Sequence, residues 1–366
     1  MRLAMRELIR RPARFVSAAG PLTLLVLLML FLGWLLDGLF LGSTGAIRAH
    51  GADGFVFSAD ARESLLRSSV DEGDLNAIAA VDGVESVSGI GVSLLGAEVP
   101  GEDDVANVVV AGYQLAGGVL PEPPAPGTAW ADRQFNALGA GIGDVVLVGP
   151  AATPIEIVGW VDDTNYLLLN TLWVDPETWR EIQNANRPDA IVAPGEFQVA
   201  AVTTVDGIDE AAVRSAIDAT LGTETLTEQE AVLAIPGVPE QNATIGAVIY
   251  ATAVVVALVV GLFFALITLE RTGIYALLKA IGVHNRSLAV GLVTQALLVA
   301  LVAFIAGGAF GLFLGSVMPA EVPLELSVGR AVFVLIAVAV AAVAGSLASL
   351  RRIVRIDPAS AIGAGV

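Results

Sequence analysis

Four long apolar runs and one large acidic insert predict a multi-pass α-helical membrane protein of four transmembrane helices, with an α+β extracytoplasmic domain between helices 1 and 2. Three observations carry that class. Of the 366 residues, 55% are hydrophobic and the mean hydropathy is +0.75, more apolar than a soluble chain and less so than a bare helical bundle. Runs reaching the ~20 residues needed to cross a bilayer occur four times. Between the first and second run lie about 200 residues of ordinary globular composition.

Residues 1–15 read as a cytoplasmic amphipathic elbow. Arg2, Arg6, Arg10 and Arg14 recur at every fourth position, one face of a helix lying on the inner membrane surface. The same arginines also serve plain positive-inside anchoring. The first span is 16–42. A basic stretch ahead of an apolar one resembles a secretory signal, but this apolar run is about 26 residues long against roughly 7–15 for a signal core, and no A-x-A site follows. It is read as a retained helix. Trp34 and Asp37 stand near its outer end, the first as an interfacial belt residue and the second as an interfacial or functional acid.

The extracytoplasmic domain is 43–243. Helices are expected at Gly73–Val81, at Asp209–Leu221, and after an Asp175 cap with Pro176 in the first helical position. Strands are expected at Ser86–Leu95, Val105–Gly112, Leu172–Val174, Phe197–Val205 and Glu224–Leu226. Asp144–Val148 and Ile155–Val161 alternate as a hairpin. The helix–strand unit at 74–90 is echoed at 209–226, which suggests a split β-α-β sheet.

The second span is 244–269. The third, 287–318, carries Gly307, Gly311 and Gly315 at four-residue spacing, which lets helices approach closely in lipid. Gln295 within it is expected to make an interhelical hydrogen bond. A short outer loop, 319–330, leads to the fourth span, 331–350, and a tail, 351–366. Residues 270–286 form a polar loop with a helix-like apolar centre.

Charge sets the orientation. Segment 1–15, loop 270–286 and the tail together hold eleven of the nineteen basic residues with three acids, whereas the insert holds seven basic and 31 acidic residues. By the positive-inside rule the termini and loop 270–286 are cytoplasmic and the insert faces outward. The acidity fits a solvated surface, and also repulsion of anionic lipid or attraction of cations.

Several chemistries are excluded. There is no cysteine, so there are no disulfides or thiolate metal sites. The one lysine, Lys279, belongs to no G-x-x-x-x-G-K-[ST] loop, so ATP is not bound through a P-loop. His50 and His284 fall on opposite sides of the membrane, and no H-E-x-x-H or G-x-S-x-G is present. No enzyme active site, metal site or nucleic-acid surface is expected.

The ending Asp357-Pro-x-x-Ala-Ile-Gly363 and the loop Gly273-Ile-x-x-Leu-x-Lys279-Ala-Ile-Gly282, on either side of the closing spans, resemble the FtsX/MacB-type (type VII) ABC transporter permeases. Within that family the chain looks closest to the DevC/HrtB-like branch, which includes haem exporter permeases. The residues that carry this are Gly143-Asp144, Val161-Asp-Asp-Thr-Asn-Tyr166, and an insert taken to be much shorter than the two-part domain of MacB. The resemblance implies a homodimer on two copies of a cytoplasmic ABC ATPase, with ATP and Mg²⁺ bound by that partner and no cofactor in this chain.

Loop 270–286 would be the coupling helix. Ile274, Leu278 and Ile281 would be apolar anchors, Glu270, Arg271 and Lys279 polar contacts, and Gly282 the helix stop. A hydrophobic substrate, with haem the leading candidate, would leave from the outer half of the membrane past Trp34, Asp37, Tyr166, Tyr250 and Met318. That placement follows from topology alone. The other reading is an FtsX-like transmitter that moves a periplasmic protein partner, with extraction of lipid, lipoprotein or drug as a third.

Overall fold

The computed structural model describes residues 12–101, 104–270, 281, 284–319 and 322–354. The elbow arginines Arg2, Arg6 and Arg10 and the ending 357–363 lie outside these, as does most of loop 270–286. The chain divides into two compact units, one comprising Met1–Gly38 with Ala243–Val366, the other Leu39–Asn242.

Among the described residues, four helices are long and apolar enough to cross a membrane: α1 (Pro12–Arg48), α6 (Val238–Glu270), α7 (Asn285–Val317) and α8 (Val328–Val354). Only 22–33% of their most apolar windows is buried within the chain, so most of that surface is left for lipid. The buried remainder joins Val26, Leu30 and Trp34 of α1 to Val256 of α6, Val299 and Ala303 of α7, and Val338 of α8. Small residues set the closest approaches. A Cβ on Gly307 would stand 3.0 Å from the Thr23 carbonyl oxygen, so the glycine stripe of α7 packs on α1. Gly345 of α8 meets the backbone of Gly261 of α6 in the same way.

Gln295 departs from expectation. Buried in α7, its amide nitrogen has no hydrogen-bond partner among the described residues. The hydroxyls of Thr252 in α6 and Thr294 in α7 each donate to a carbonyl of their own helix.

The outer unit is one mixed sheet of nine strands: β1 (Gly54–Phe57), β2 (Val84–Glu98), β3 (Ala106–Tyr113), β4 (Thr128–Asp132), β5 (Val145–Val148), β6 (Thr153–Val161), β7 (Asn170–Val174), β8 (Val199–Thr204) and β9 (Glu224–Leu226). Its spine is β2. The first half of that strand pairs antiparallel with β8, in the order β2-β8-β1-β9. Helices α2 (Glu72–Ala79) and α4 (Glu210–Leu221) complete a split β-α-β unit, as the internal echo suggested.

The second half of β2 pairs with β3, and the succession β3-β7-β4-β6-β5 returns to β2, closing a six-stranded barrel. The barrel is an insertion between the second and third strands of the split unit, together with α3 (Pro176–Asn186). The domain is therefore two-part, a split β-α-β unit carrying an inserted barrel that the expected split sheet did not include. Strand alternation alone could not reveal it, because closure depends on long-range pairing.

Two-residue periodicity assigns side chains to two cores. Val56, Val108 and Val110 face one, and Phe55, Phe57, Val109, Ala111 and Tyr113 face the other. Many of the acids have structural work. Asp71, Asp175 and Asp209 cap α2, α3 and α4, and Thr227 with Glu230 boxes the short α5 (Glu228–Leu233), each cap contributing about 1 kcal/mol.

Candidate functional site at the outer ends of the first and fourth spans

Within the membrane unit, the outer end of α1 presents Gly33, Trp34, Asp37 and Gly38, four positions that share neighbouring faces at helical spacing. Gly33 leaves a groove. A Cβ there would lie 2.5 Å from Cδ of Arg330, so the arginine stem occupies the space a side chain would take. The guanidinium then forks onto Asp37. Nε donates to Oδ2 at 3.2 Å and Nη2 donates to Oδ1. Ser327 Oγ donates to the same Oδ2 at 2.8 Å.

Ser327 also accepts from the Arg330 amide at 3.2 Å, capping the first turn of α8. The Asp37 carboxylate thus sits against a helix N-terminus, where a negative charge is favoured. The segment before α8 follows suit. Glu325 N–H donates to the Trp34 carbonyl at 3.1 Å, and Gly38 admits the Pro323 carbonyl. Each side chain of the ion pair is 22% exposed, so the pair is neither a surface bridge nor a sealed one.

Arg330 was not among the residues singled out from sequence, where it fell in the outer loop. It stands in the first turn of α8. A lone basic residue beside the start of one span and a lone acid near the outer end of another were the available signal.

Of the five residues expected to line a lateral opening, Trp34, Asp37, Tyr250 and Met318 belong to the membrane unit and Tyr166 to the outer unit. Trp34 and Asp37 lie one turn apart, but the Trp34 ring is buried against Gly311, with its indole N–H unpartnered among the described residues, and the Asp37 carboxylate is taken by Arg330 and Ser327. Tyr250 is 69% exposed on α6. Met318 is half-buried and ends α7, its amide bonded to the Leu314 carbonyl. Tyr166 is 2% exposed in a core of the outer unit, its phenol pushed up to about 12 by burial.

Of the coupling residues, Arg271, Ile274, Leu278, Lys279 and Gly282 lie outside the described residues. Glu270 is the last residue of α6, and Ile281 is exposed. His50 is buried in the outer unit, edge-on to Phe55, Tyr113 and Trp173, and burial pushes it down to about 3, so it is neutral. Among the described residues no group of acids and histidines is placed to hold a metal ion.

Residues 246–358 match the family model of the FtsX-like permease C-terminal domain. The chain is 30% identical over 371 residues to an uncharacterized ABC transporter permease of Mycobacterium tuberculosis, covering 98% of each. It is 21% identical over 234 residues to a protein of Staphylococcus epidermidis named as a hemin transport system permease, HrtB, covering 64% of this chain and 63% of that one. Among solved structures, the periplasmic region of MacB from Actinobacillus actinomycetemcomitans aligns at TM-score 0.36 and 15% identity, over 52% of this chain and 96% of that one. The extracellular domain of the transporter YknZ aligns at TM-score 0.34 and 13% identity, over 48% and 99%.

Proposed function

Because the chain belongs to the FtsX-like ABC transporter permeases, we propose that it is the membrane subunit of an exporter driven by a separate cytoplasmic ATPase. Two copies of the permease pair with two of the ATPase. Both termini and loop 270–286 are cytoplasmic, and the outer domain faces outward. ATP hydrolysis moves the spans and the outer domain together in a mechanical stroke that expels a hydrophobic substrate from the membrane. The identity to a permease along 98% of the chain carries the reading.

Coupling falls to Glu270, Arg271, Ile274, Leu278, Lys279, Ile281 and Gly282, whose apolar anchors at helical spacing suit an ATPase groove. Haem is the leading substrate, supported by the relative named for hemin transport. On the outer side Tyr250 is the most accessible of the suggested lining residues. Asp37 would join it only after release from Arg330. A transmitter acting on a periplasmic protein is the second reading, favoured by the strongly acidic outer domain.

The test is ATP hydrolysis by the permease–ATPase complex in lipid nanodiscs, titrated with haemin. Saturable stimulation with a shifted Soret band supports haem export. Basal hydrolysis with no response and no spectral change removes haem and leaves the permease reading.

A further inference from the structure

Ten residues of α1 continue into the outer unit, where Ala46 and Ile47 pack in a core with Tyr113 and Trp173 and one loop meets the helix backbone directly. Loop 162–169, joining β6 to β7 of the barrel, lays its backbone on the helix backbone. Leu167 and Leu168 N–H donate to the carbonyls of Ser43 and Gly42 at 3.1 and 2.9 Å, and Ala46 N–H donates to the Asn165 carbonyl at 3.1 Å. Thr44 and Tyr166 form an antiparallel bridge, an unusual pairing between a helix and an extended segment.

The approach needs glycine. A Cβ on Gly45 would stand 2.6 Å from the Asp163 carbonyl oxygen and 2.7 Å from the Asn165 nitrogen. Arg48, in the last turn of α1, closes the contact with a two-pronged fork onto Asp163, both bonds 2.9 Å. Its own geometry is fixed by Nε donating to Thr44 Oγ1 at 3.1 Å and Nη2 to the Leu41 carbonyl at 3.3 Å.

The loop is strained in order to reach. Asp163, Leu167 and Leu168 have φ of 61°, 53° and 64°. Leu167 and Leu168 are the central pair of a tight turn closed by reciprocal Tyr166 and Leu169 bonds, in a conformation that asparagine and glycine ordinarily supply. The amides this turn frees are the ones that meet α1. At its other end the loop is fixed to the barrel. Thr164 donates from N and Oγ1 to the buried Asp132 at 2.9 and 2.8 Å, and Arg133 pairs with Asp162. Strain held from both sides is the signature of a segment kept for its position.

The topology says what the position is for. Past Arg48 the chain runs directly into β1 of the split β-α-β unit, so α1 is covalently tied to that part. The barrel meets the backbone of the last turns of α1 through this loop, and its β3–β4 connection adds the Val119 N–H bond to the Ala49 carbonyl, at 3.0 Å, just beyond the helix. We infer that loop 162–169 is the joint through which displacement of α1 reaches the barrel, with the Arg48–Asp163 fork as its positioning contact. This rests on the stroke proposed above and assigns it a path within the outer domain.

This chain has no cysteine, so introduced cysteines are the permease's own labelling sites for spin labels, which are attached before it is assembled with the ATPase in nanodiscs. One label at exposed Val328→Cys is paired with Ile142→Cys in the barrel, or with Ile208→Cys in the split unit. Distances are read with and without vanadate-trapped nucleotide. Asp163→Asn keeps the size and tolerates the positive φ but removes the charge. Arg48→Ala removes the fork from the other side. In both, the barrel distance is expected to lose its nucleotide-dependent shift while the split-unit distance and ATP hydrolysis keep theirs. Arg48→Lys, charged but unforked, is expected between. An undiminished barrel shift in both variants overturns the joint, as does equal loss at both reporters, which marks a merely structural contact. If the unmodified complex shows no shift at either reporter, the stroke itself fails and the joint falls with it.

Discussion

Removing Arg330 is the most informative single change in the membrane unit. Arg330→Ala deletes both prongs on Asp37 and leaves the carboxylate, 22% exposed, with Ser327 as its remaining side-chain donor. A fully exposed pair contributes ~0–1 kcal/mol, and stripping a sealed charge of its partner costs ~3–5 kcal/mol. One-fifth exposure puts this pair between, at about 2–3 kcal/mol. The stem over Gly33 adds packing loss in the same direction.

At roughly 2–4 °C per kcal/mol for a chain this long, the unfolding midpoint in nanodiscs should fall by about 4–12 °C. Arg330→Lys, charged but unable to fork, should fall by less than half of that. A double-mutant cycle with Asp37→Asn isolates the pair, and its coupling should exceed ~1 kcal/mol. Midpoints within about 1 °C of the parent in both single variants, or a coupling near zero, would refute the clamp.

Two further outcomes follow from single groups. His50 takes up a proton near 6.5 when unfolded but only near about 3 when folded. Its contribution is therefore fully present above pH 6.5 and lost as pH falls toward 3, at about 1.4 kcal/mol per pH unit. The full chain should unfold several degrees lower at pH 5 than at pH 7.5, and His50→Phe should flatten that slope; an unchanged slope rejects the assignment. In the proposed coupling segment, Lys279→Glu and Leu278→Asp should each abolish permease-dependent stimulation of ATP hydrolysis while membrane insertion stays normal, and retained stimulation in both counts against the segment.

Sequence reached furthest where structure is local. The helix at Pro176 was legible because Asp175 and proline mark an N-terminus chemically, and the β5–β6 hairpin because alternation and a turn lie within one window. The strand β3 was legible as an apolar run since both its faces are buried. Strands β1 and β4, four and five residues long, were not among the expected strands. Barrel closure was invisible because it joins β2 to β5 and β3 to β7, pairings set by long-range packing and not by any window.

The candidate site divides in the same way. Asp37 stood out as a charge inside an apolar run. Its partner comes from a helix almost 300 residues later, and nothing in the chain ties the two before folding. The turn at Leu167 and Leu168 hid completely, since its residues contradict the conformation that tertiary contacts impose.

The two glycines where the loop meets α1 give an opposed pair of expectations. Glycine inside a helix is less favourable than alanine by about 1 kcal/mol, so each must be kept for space or not at all. At Gly42 the neighbour of an added Cβ is a methyl of Leu168, at 3.0 Å, on a side chain that can turn toward solvent. Gly42→Ala should leave stability within about 0.5 kcal/mol of the parent, the propensity gain offsetting the shift.

At Gly45 the neighbours are backbone atoms of Asp163 and Asn165, at 2.6 and 2.7 Å, fixed on the barrel side by Thr164 and Asp132. They cannot turn away, so Gly45→Ala must push loop and helix apart, breaking the Ala46–Asn165 bond. That should cost about 2–3 kcal/mol and lower the unfolding midpoint by about 4–12 °C. It should also raise hydrogen exchange at Leu167 and Leu168, which Gly42→Ala should not. Equal effects at the two positions would mean that the helix tolerates a wider seat, and that the close backbone approach is not what holds the loop to α1.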